Sequence, residues 1–216
     1  MDNYSYEERE IKMKTFRYIV MPAIALLLAM NIYVFFYKGF IEPEIDESSE
    51  IKSSGEALVV GSFTLTDQNG NKVSDSDFKG KNMLVYFGFT NCPMICPTDM
   101  ANLTQVLEEL GEDAKKIQPV FITIDPQRDT PEQIKTFLSN FYPTFVGLTG
   151  TPREIADVAN KYRIYYKQVE AEDLQEYTMD HSAYTYLMGK DGKYLAHFRH
   201  EQPIEEVVRR ISQRIN

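Results

Sequence analysis

The chain has 216 residues, a formal net charge of −9, 43% hydrophobic residues and 25% charged residues. These fractions are ordinary for a globular protein and exclude a wholly disordered chain. The acidic balance argues against nucleic acid as a partner, because an excess of carboxylates repels phosphates. The chain has two cysteines, which are too few for a disulfide scaffold or a zinc ribbon.

An uncharged run of twenty residues, 18–37, lies near the start of the chain and reads YIVMPAIALLLAMNIYVFFY. At about 1.5 Å per residue, a helix of this length spans roughly 30 Å, the thickness of the hydrocarbon core of a bilayer. Basic residues are more numerous before the run than after it: Arg9, Lys12, Lys14 and Arg17 against Lys38 and Lys52. The run therefore predicts a single-pass membrane anchor, with residues 1–17 inside and the C-terminal part outside.

The same run has two other interpretations, a buried core helix and a cleaved signal peptide. A core helix normally has a polar face, and this run has none. A signal peptide has a shorter apolar run of ~7–15 residues and then a small-residue cleavage site, whereas this run is followed by Lys38, Gly39 and Phe40. Both observations favour the uncleaved anchor.

Residues 38–56 are acidic, rich in serine and without apolar periodicity. This composition predicts a tether that holds the rest of the chain away from the membrane. The remaining residues, 57–216, are numerous enough to bury one substantial core. We therefore expect one folded domain behind an anchor and a tether.

Strand and helix patterns alternate along residues 57–216. Buried strands are predicted at 83–89 and 120–124, helices at 101–110, 130–138, 151–162 and 203–215, and hairpins at 62–73 and 184–198. The second and third helices begin with the capping boxes TPEQ and TPRE. This order predicts an α/β fold, a thioredoxin-like central sheet with flanking helices that ends in an antiparallel hairpin and a helix.

The two cysteines, Cys92 and Cys96, lie between the first buried strand and the helix that follows it. In an open α/β sheet, binding sites collect at this carboxyl end of the strands. If the segment is helical, a spacing of four puts both sulfurs on one side, where they can bind one metal ion or form a disulfide. A helix N-terminus also lowers the pKa of a thiol. The alternative is a pair of buried structural thiols.

His181 comes directly before a predicted strand. Its imidazole would complete a sulfur-rich site for copper or zinc, although a lone histidine is more often a surface residue. The other two histidines, His197 and His200, lie on or after the last predicted strand and are interpreted as surface residues.

Asp125 follows the second buried strand, at the same end of the sheet as the cysteines. We expect it to adjust the charge of a bound ligand through hydrogen bonds around the site. The alternative is an ordinary turn, in which Arg128 pairs with Asp129 and Thr130 caps the next helix.

Three separate motifs, in this order, resemble the Sco/SenC family: YFGFTNCPMICP at 86–97, IDPQRDTP at 124–131 and DHS at 180–182. The resemblance covers about 57–216, and a single N-terminal anchor is also typical of the family. It implies a thioredoxin-like domain that binds copper through Cys92, Cys96 and His181, with Asp125 near the metal. Such proteins assist assembly of the binuclear copper centre of cytochrome c oxidase, so the implied partner is the copper-receiving oxidase subunit.

The resemblance favours a metallochaperone over an enzyme. The alternatives are a thiol–disulfide oxidoreductase that reduces cysteines of an oxidase subunit, and a redox sensor. Either way a thiol–disulfide reductant is a further expected partner. The acidic residues Asp2, Glu7, Glu8 and Glu10 are atypical of a transit peptide. They favour a bacterial inner membrane with the domain in the periplasm over a mitochondrial inner membrane with the domain in the intermembrane space.

Overall fold

A computed structural model describes residues 26–33, 62–170 and 177–215. The chain divides into two compact units, Met1–Glu56 and Ala57–Asn216. In the first unit, residues 26–33 form an exposed helix. The rest of the predicted anchor, 18–37, and the whole predicted tether, 38–56, lie outside the described residues. Among the helices that are described, none is long and apolar enough to cross a membrane.

The second unit is built on a seven-stranded sheet whose order is β2-β1-β5-β4-β3-β8-β9, and β6 and β7 form a separate two-stranded sheet. The strands are β1 (Thr64–Asp67), β2 (Lys72–Ser74), β3 (Asn82–Gly88), β4 (Ile117–Thr123), β5 (Val146–Thr149), β6 (Tyr166–Glu170), β7 (Tyr177–His181), β8 (Tyr184–Met188) and β9 (Tyr194–Arg199). Strands β3, β4 and β5 pair in parallel, and the other pairs are antiparallel.

Four helices accompany the sheet: α1 (Ile95–Leu110), α2 (Pro131–Leu138), α3 (Pro152–Lys161) and α4 (Ile204–Ile215). Helix α1 packs against α4, α2 against β5, and α3 against β1. Short 3₁₀ helices occupy Asp75–Phe78 and Gly111–Lys116. The predicted α/β class, with a central sheet, flanking helices and a terminal hairpin and helix, is confirmed.

The two strands that lead to the predicted site lie at the centre of the sheet. Every residue of β3 is buried, as are six of the seven in β4, which is the pattern of parallel strands covered on both faces. Their register pairs Gly88 with Thr123, so both strands end at the same edge of the sheet. The segments that carry Cys92 and Asp125 therefore leave the sheet side by side.

Local signals account for the starts of α2 and α3. The Thr130 hydroxyl accepts a hydrogen bond from the backbone N–H of Gln133 at 3.3 Å, and Thr151 accepts one from Glu154 at 3.2 Å. Both capping boxes are complete, with proline in the first turn. These caps satisfy backbone donors that would otherwise lack partners, and both predictions are confirmed.

Helix α1 begins six residues earlier than the predicted start at residue 101. The two prolines of the cysteine segment favour a stiff loop, but Pro97 lies in the first turn of α1, where a helix does not need its N–H. As a result Cys96 is helical and Cys92 lies in the preceding loop. The argument that a helix places both sulfurs on one face therefore fails for this pair.

Candidate metal centre

Cys92 and Cys96 are brought together at the N-terminus of α1. Both are free thiols; Cys92 is half-buried and Cys96 is fully buried. The Cys96 backbone N–H donates a hydrogen bond to the Cys92 sulfur at 3.4 Å. The loop thus folds the first sulfur back over the unpaired backbone donors of the helix, a place that stabilises negative charge.

The two sulfurs differ strongly in acidity. A hydrogen bond from the Cys96 thiol, helped by the backbone N–H groups of Met94, Ile95 and Cys96, lowers the pKa of Cys92 to about 5 against the effect of burial. The same bond, together with burial, raises the pKa of Cys96 above its ordinary value. At neutral pH the pair therefore consists of one thiolate and one thiol.

His181 is the last residue of β7, and its ring reaches the second sulfur. Its Nε2 atom lies 3.8 Å from Cys96 Sγ, and its Nδ1 atom lies 3.2 Å from the Ser182 carbonyl oxygen. Because a carbonyl only accepts, Nδ1 carries the proton and Nε2 directs its lone pair toward the sulfur. Burial lowers the pKa of His181, which favours the neutral imidazole that binds metals.

The chemistry and spacing of these donors fit a soft metal ion. Bonds to sulfur of about 2.3 Å and to nitrogen of about 2.0 Å place two ligands of one ion roughly 3.5–3.8 Å apart. The separation of Cys96 Sγ and His181 Nε2 is 3.8 Å. Two sulfurs and an imidazole suit copper, and also zinc. Over the described part of the chain no three His, Cys, Asp or Glu side chains are already grouped to hold a metal, so the three-ligand set stays a prediction.

Asp125 is buried, and its side chain hydrogen-bonds to residues other than the predicted ligands. Its carboxylate accepts hydrogen bonds from Arg128 Nε at 2.5 Å and from the Tyr177 hydroxyl at 2.9 Å. Arg128 also donates to the Tyr177 carbonyl at 2.8 Å and lies 3.8 Å from the centre of its ring. These contacts fasten the loop after β4 to β7, the strand that ends in His181.

The turn interpretation of this loop is wrong in one respect, because Arg128 pairs with Asp125 and not with Asp129. Asp129 is fully buried and accepts hydrogen bonds from Thr90 N at 3.0 Å, Thr90 Oγ1 at 2.6 Å and Thr123 Oγ1 at 2.5 Å. Thr90 lies two residues before Cys92. Asp129 therefore ties the cysteine loop to the end of β4.

Sequence reasoning missed a second polar network beside the site. The His200 ring, interpreted as a surface group, lies with Nδ1 2.5 Å from an Asp99 carboxylate oxygen, and the Tyr86 hydroxyl donates to the other oxygen at 3.0 Å. The histidine and the aspartate are 101 residues apart, so no local pattern links them. The exposed His197 fits its surface assignment; it hydrogen-bonds with the Tyr194 hydroxyl at 2.6 Å.

Three large, exposed apolar side chains belong to segments that adjoin the cysteines and the histidine. Met94 and Ile95 lie between the two cysteines and are 71% and 44% exposed. Tyr165 is 55% exposed, and its carbonyl accepts a hydrogen bond from the N–H of Ser182, next to His181. Large apolar groups held at the surface around a polar site are typical of protein contact surfaces.

The comparisons with known proteins agree on one protein family. The SCO1/SenC family model matches residues 51–216. A SCO2-like protein of Rickettsia conorii is 48% identical over 139 residues, which cover 64% of this chain and 68% of the relative. The mitochondrial SCO1 homolog of Homo sapiens is 39% identical over 154 residues, covering 70% and 51%. The structure of Bradyrhizobium japonicum ScoI with copper bound has 45% identity and a TM-score of 0.65, covering 71% of this chain and 98% of that one.

Proposed function

The chain belongs to the SCO1/SenC family, and from this premise we propose that it is a copper metallochaperone that assists assembly of the copper centre of cytochrome c oxidase. The observation that carries the proposal is the approach of His181 Nε2 to Cys96 Sγ at 3.8 Å, beside the acidic thiol of Cys92. Copper is the cargo in this proposal and not a resident cofactor.

Cys92, Cys96 and His181 are the proposed ligands. Cys92 is already a thiolate near neutral pH, since its pKa is about 5. The imidazole offers the lone pair of Nε2, because Nδ1 is engaged with the Ser182 carbonyl. Only Cys96 has to lose a proton when the ion binds, which makes uptake less dependent on pH than for two ordinary thiols.

The same two thiols offer a route for release. When they form a disulfide, one S–S bond is made and the two electrons of the dithiol pass to a partner disulfide, which is reduced to two thiols. This removes two of the three ligands at once. A thiol–disulfide reductant then has to restore the dithiol before the next copper ion is bound.

Delivery is proposed to a protein, the copper-receiving subunit of the oxidase. Three exposed side chains support this, because they belong to segments that adjoin the proposed ligands and provide apolar contact area: Met94, Ile95 and Tyr165. An ion held at such a surface can pass directly to ligands of the partner without entering water.

We propose that residues 18–37 anchor the protein in a membrane, that 38–56 form a tether and that 57–216 form the copper-binding domain. The uncharged run and the acidic, serine-rich segment after it support this division. The preferred location is a bacterial inner membrane with the domain in the periplasm. The alternative is a mitochondrial inner membrane with the domain in the intermembrane space; the human relative is named as a mitochondrial protein.

The second candidate function is thiol–disulfide oxidoreductase. The specific observation in its favour is the asymmetry of the thiol pair, a half-exposed thiolate at Cys92 next to a buried thiol at Cys96. A thiolate of low pKa attacks a disulfide, and the neighbouring thiol, after it passes its proton to the departing thiolate, then attacks and resolves the mixed disulfide.

Competitive titration of Cu(I) and Cu(II) on the reduced full chain in detergent tests the proposal, with a disulfide-reductase assay run beside it. We expect one copper ion per chain, loss of binding in Cys96→Ser, and no loss in His197→Ala. Absence of copper binding together with efficient reductase activity would replace the first candidate with the second.

A further inference from the structure

The two halves of the candidate site belong to different elements. Cys96 lies in the first turn of α1, whereas His181 ends β7 in the separate two-stranded sheet. Helix α1 and strand β7 are not joined by backbone pairing. The distance between Cys96 and His181 therefore depends on the side-chain and loop contacts that connect the two elements. One residue outside the motifs contacts both halves.

His200 reaches the cysteine half through its side chain. Its Nδ1 atom lies 2.5 Å from Asp99 Oδ1, and Asp99 is three residues after Cys96, nearly one turn along α1. A carboxylate only accepts, so Nδ1 is the donor. The other oxygen of Asp99 accepts the Tyr86 hydroxyl of β3 at 3.0 Å. Asp99 is only 7% exposed, so the cysteine-bearing turn is held from two sides, by a buried contact with Tyr86 and a partly buried contact with His200.

His200 reaches the histidine half through its backbone. Its N–H donates to the Ala183 carbonyl at 3.2 Å, and Ala183 is two residues after His181. The next residue, Glu201, has a φ of 69°, a left-handed conformation that a residue with a side chain rarely adopts. The backbone therefore turns directly after His200, in the segment between β9 and α4.

We propose that His200 and Asp99 are positioning residues that hold the cysteine half and the histidine half of the site together and so set the distance between Cys96 and His181. The proposal rests on the proposed copper-binding function, because a distance between ligands matters only where one ion has to reach both. Neither residue contacts the ion; both act through the elements that carry the ligands.

The proposal makes the role of His200 depend on His181. Two thiolates alone can hold Cu(I), whereas Cu(II) also needs the imidazole nitrogen. Loosening the histidine half should therefore weaken Cu(II) binding more than Cu(I) binding. Loss of hydrogen-bond partners around a metal site typically lowers affinity by about 10–100-fold.

The test is a set of variants of the reduced full chain in detergent, titrated with Cu(II) and Cu(I) against competing chelators. We expect His200→Ala to lower Cu(II) affinity about 10–100-fold and Cu(I) affinity by less than about threefold. His200→Asn keeps a donor near the position of Nδ1, so it should recover most of the lost affinity. His197→Ala, a histidine of β9 whose side chain bonds to Tyr194, is the matched control and should change neither affinity.

A double-mutant cycle separates positioning from general destabilisation. In a His181→Ala background, adding His200→Ala should change Cu(II) affinity by less than about twofold. An equal loss with and without His181, or a loss no larger than that of His197→Ala, would overturn the proposal. If His200→Ala does not fold, Asp99→Asn provides the test, because it removes the charge of the carboxylate but keeps an accepting oxygen. This variant should lower Cu(II) affinity about 3–10-fold. An unchanged Cu(II) affinity would overturn the proposal.

An arm without copper distinguishes failure of this proposal from failure of the proposed function. In the reduced apo protein, the imidazole NMR signals of His181 should shift in His200→Ala and stay in place in His197→Ala. If the wild type binds no copper, the proposed function is wrong, and these shifts still decide whether His200 positions His181. Unshifted signals would refute the positioning role whatever the copper titration shows.

Discussion

The two sides of the candidate site are built from very different parts of the molecule. The segment that carries the cysteines follows β3, a strand buried along its whole length. It continues into α1, whose inner face is buried against the core. His181 ends β7, in a two-stranded sheet whose residues are half-buried or exposed. One side is thus part of the core, and the other is a peripheral attachment.

This difference has an energetic consequence. An isolated two-stranded hairpin is only marginally stable in water, so β6 and β7 depend on contacts with the rest of the domain. The network of Asp125, Arg128 and Tyr177 supplies such contacts at the start of β7, and the His200 N–H bond to the Ala183 carbonyl supplies one just after its end. We infer that the packed core holds the thiols in place, whereas a few polar contacts and one edge-on ring contact with Phe89, 5.9 Å between ring centres, hold the imidazole.

The largest expected effect comes from removing the peripheral ligand. His181→Ala should lower Cu(II) affinity by more than the ~10–100-fold that is typical when a hydrogen-bond partner of a metal ligand is lost. The loss of Cu(I) affinity should be smaller, because the two thiolates remain. The free energy of unfolding of the apo form should change by under about 1 kcal/mol, since the side chain lies outside the central sheet. Competitive titration and thermal melts measure the two quantities, and unchanged Cu(II) affinity would remove His181 from the site.

On the cysteine side, a substitution in the core should mainly lower the stability of the domain. A Cβ atom at Gly88 would lie 2.7 Å from a ring carbon of Tyr86 and 3.0 Å from Cys96 Sγ. Gly88→Ala should therefore cost about 1–3 kcal/mol in the free energy of unfolding and displace the buried sulfur. Gly189→Ala is the matched control, because its closest neighbour is the movable tip of Asp191 at 3.0 Å. Denaturant unfolding of both variants checks this, and equal stabilities would contradict it.

The parts of the fold that could be predicted are those with local signals. Continuous apolar runs identified β3 and β4, and capping boxes identified the starts of α2 and α3, because each signal lies within a few residues of its effect. Strand β5 and the β6–β7 pair were missed. The first has four residues, and the second is polar and half-exposed, so neither shows the apolar pattern of a core strand.

The site divides in the same way. Cys92 and Cys96 are recognisable because they are close in sequence at a strand end, whereas the expectation that His181 joins them rests on the chemistry of imidazole and, above all, on the family resemblance. The partners of Asp99 and Asp125 lie 101 and 52 residues away in His200 and Tyr177. Such contacts are created by the fold, and single-sequence patterns carry no record of them.

An intermediate effect is expected from loosening the peripheral side without touching a ligand. Arg128→Lys removes the planar group that bonds to Asp125 and lies over Tyr177, and lysine cannot replace that geometry. Cu(II) affinity should fall about 10-fold and Cu(I) affinity should hardly change. Arg153→Lys, at an exposed position of α3, is the control. Equal losses for both copper ions would mean that the network also supports the cysteines.

The smallest change concerns the reactivity of Cys92, which tests whether the core side presents a thiolate before copper arrives. Alkylation rate follows the thiolate fraction, and with a pKa of about 5 this fraction falls only below about pH 6. The ratio of the rates at pH 8 and pH 6 should therefore be under about 1.5, whereas an unperturbed thiol with a pKa of ~8.5 would give a ratio of tens. The buried Cys96 contributes little to the measured rate.

Cys96→Ala sharpens the same measurement. The variant removes the thiol whose hydrogen bond is the main cause of the low pKa of Cys92, while the backbone N–H groups at the start of α1 remain. The pKa should then rise, so the rate at pH 6 should fall and the ratio between pH 8 and pH 6 should increase severalfold. A ratio that stays flat in the variant would assign the acidity of Cys92 to the helix N-terminus alone. A steep ratio in the wild type would mean that the thiolate forms only when the metal binds, and the core side would then be no better prepared for copper than the peripheral one.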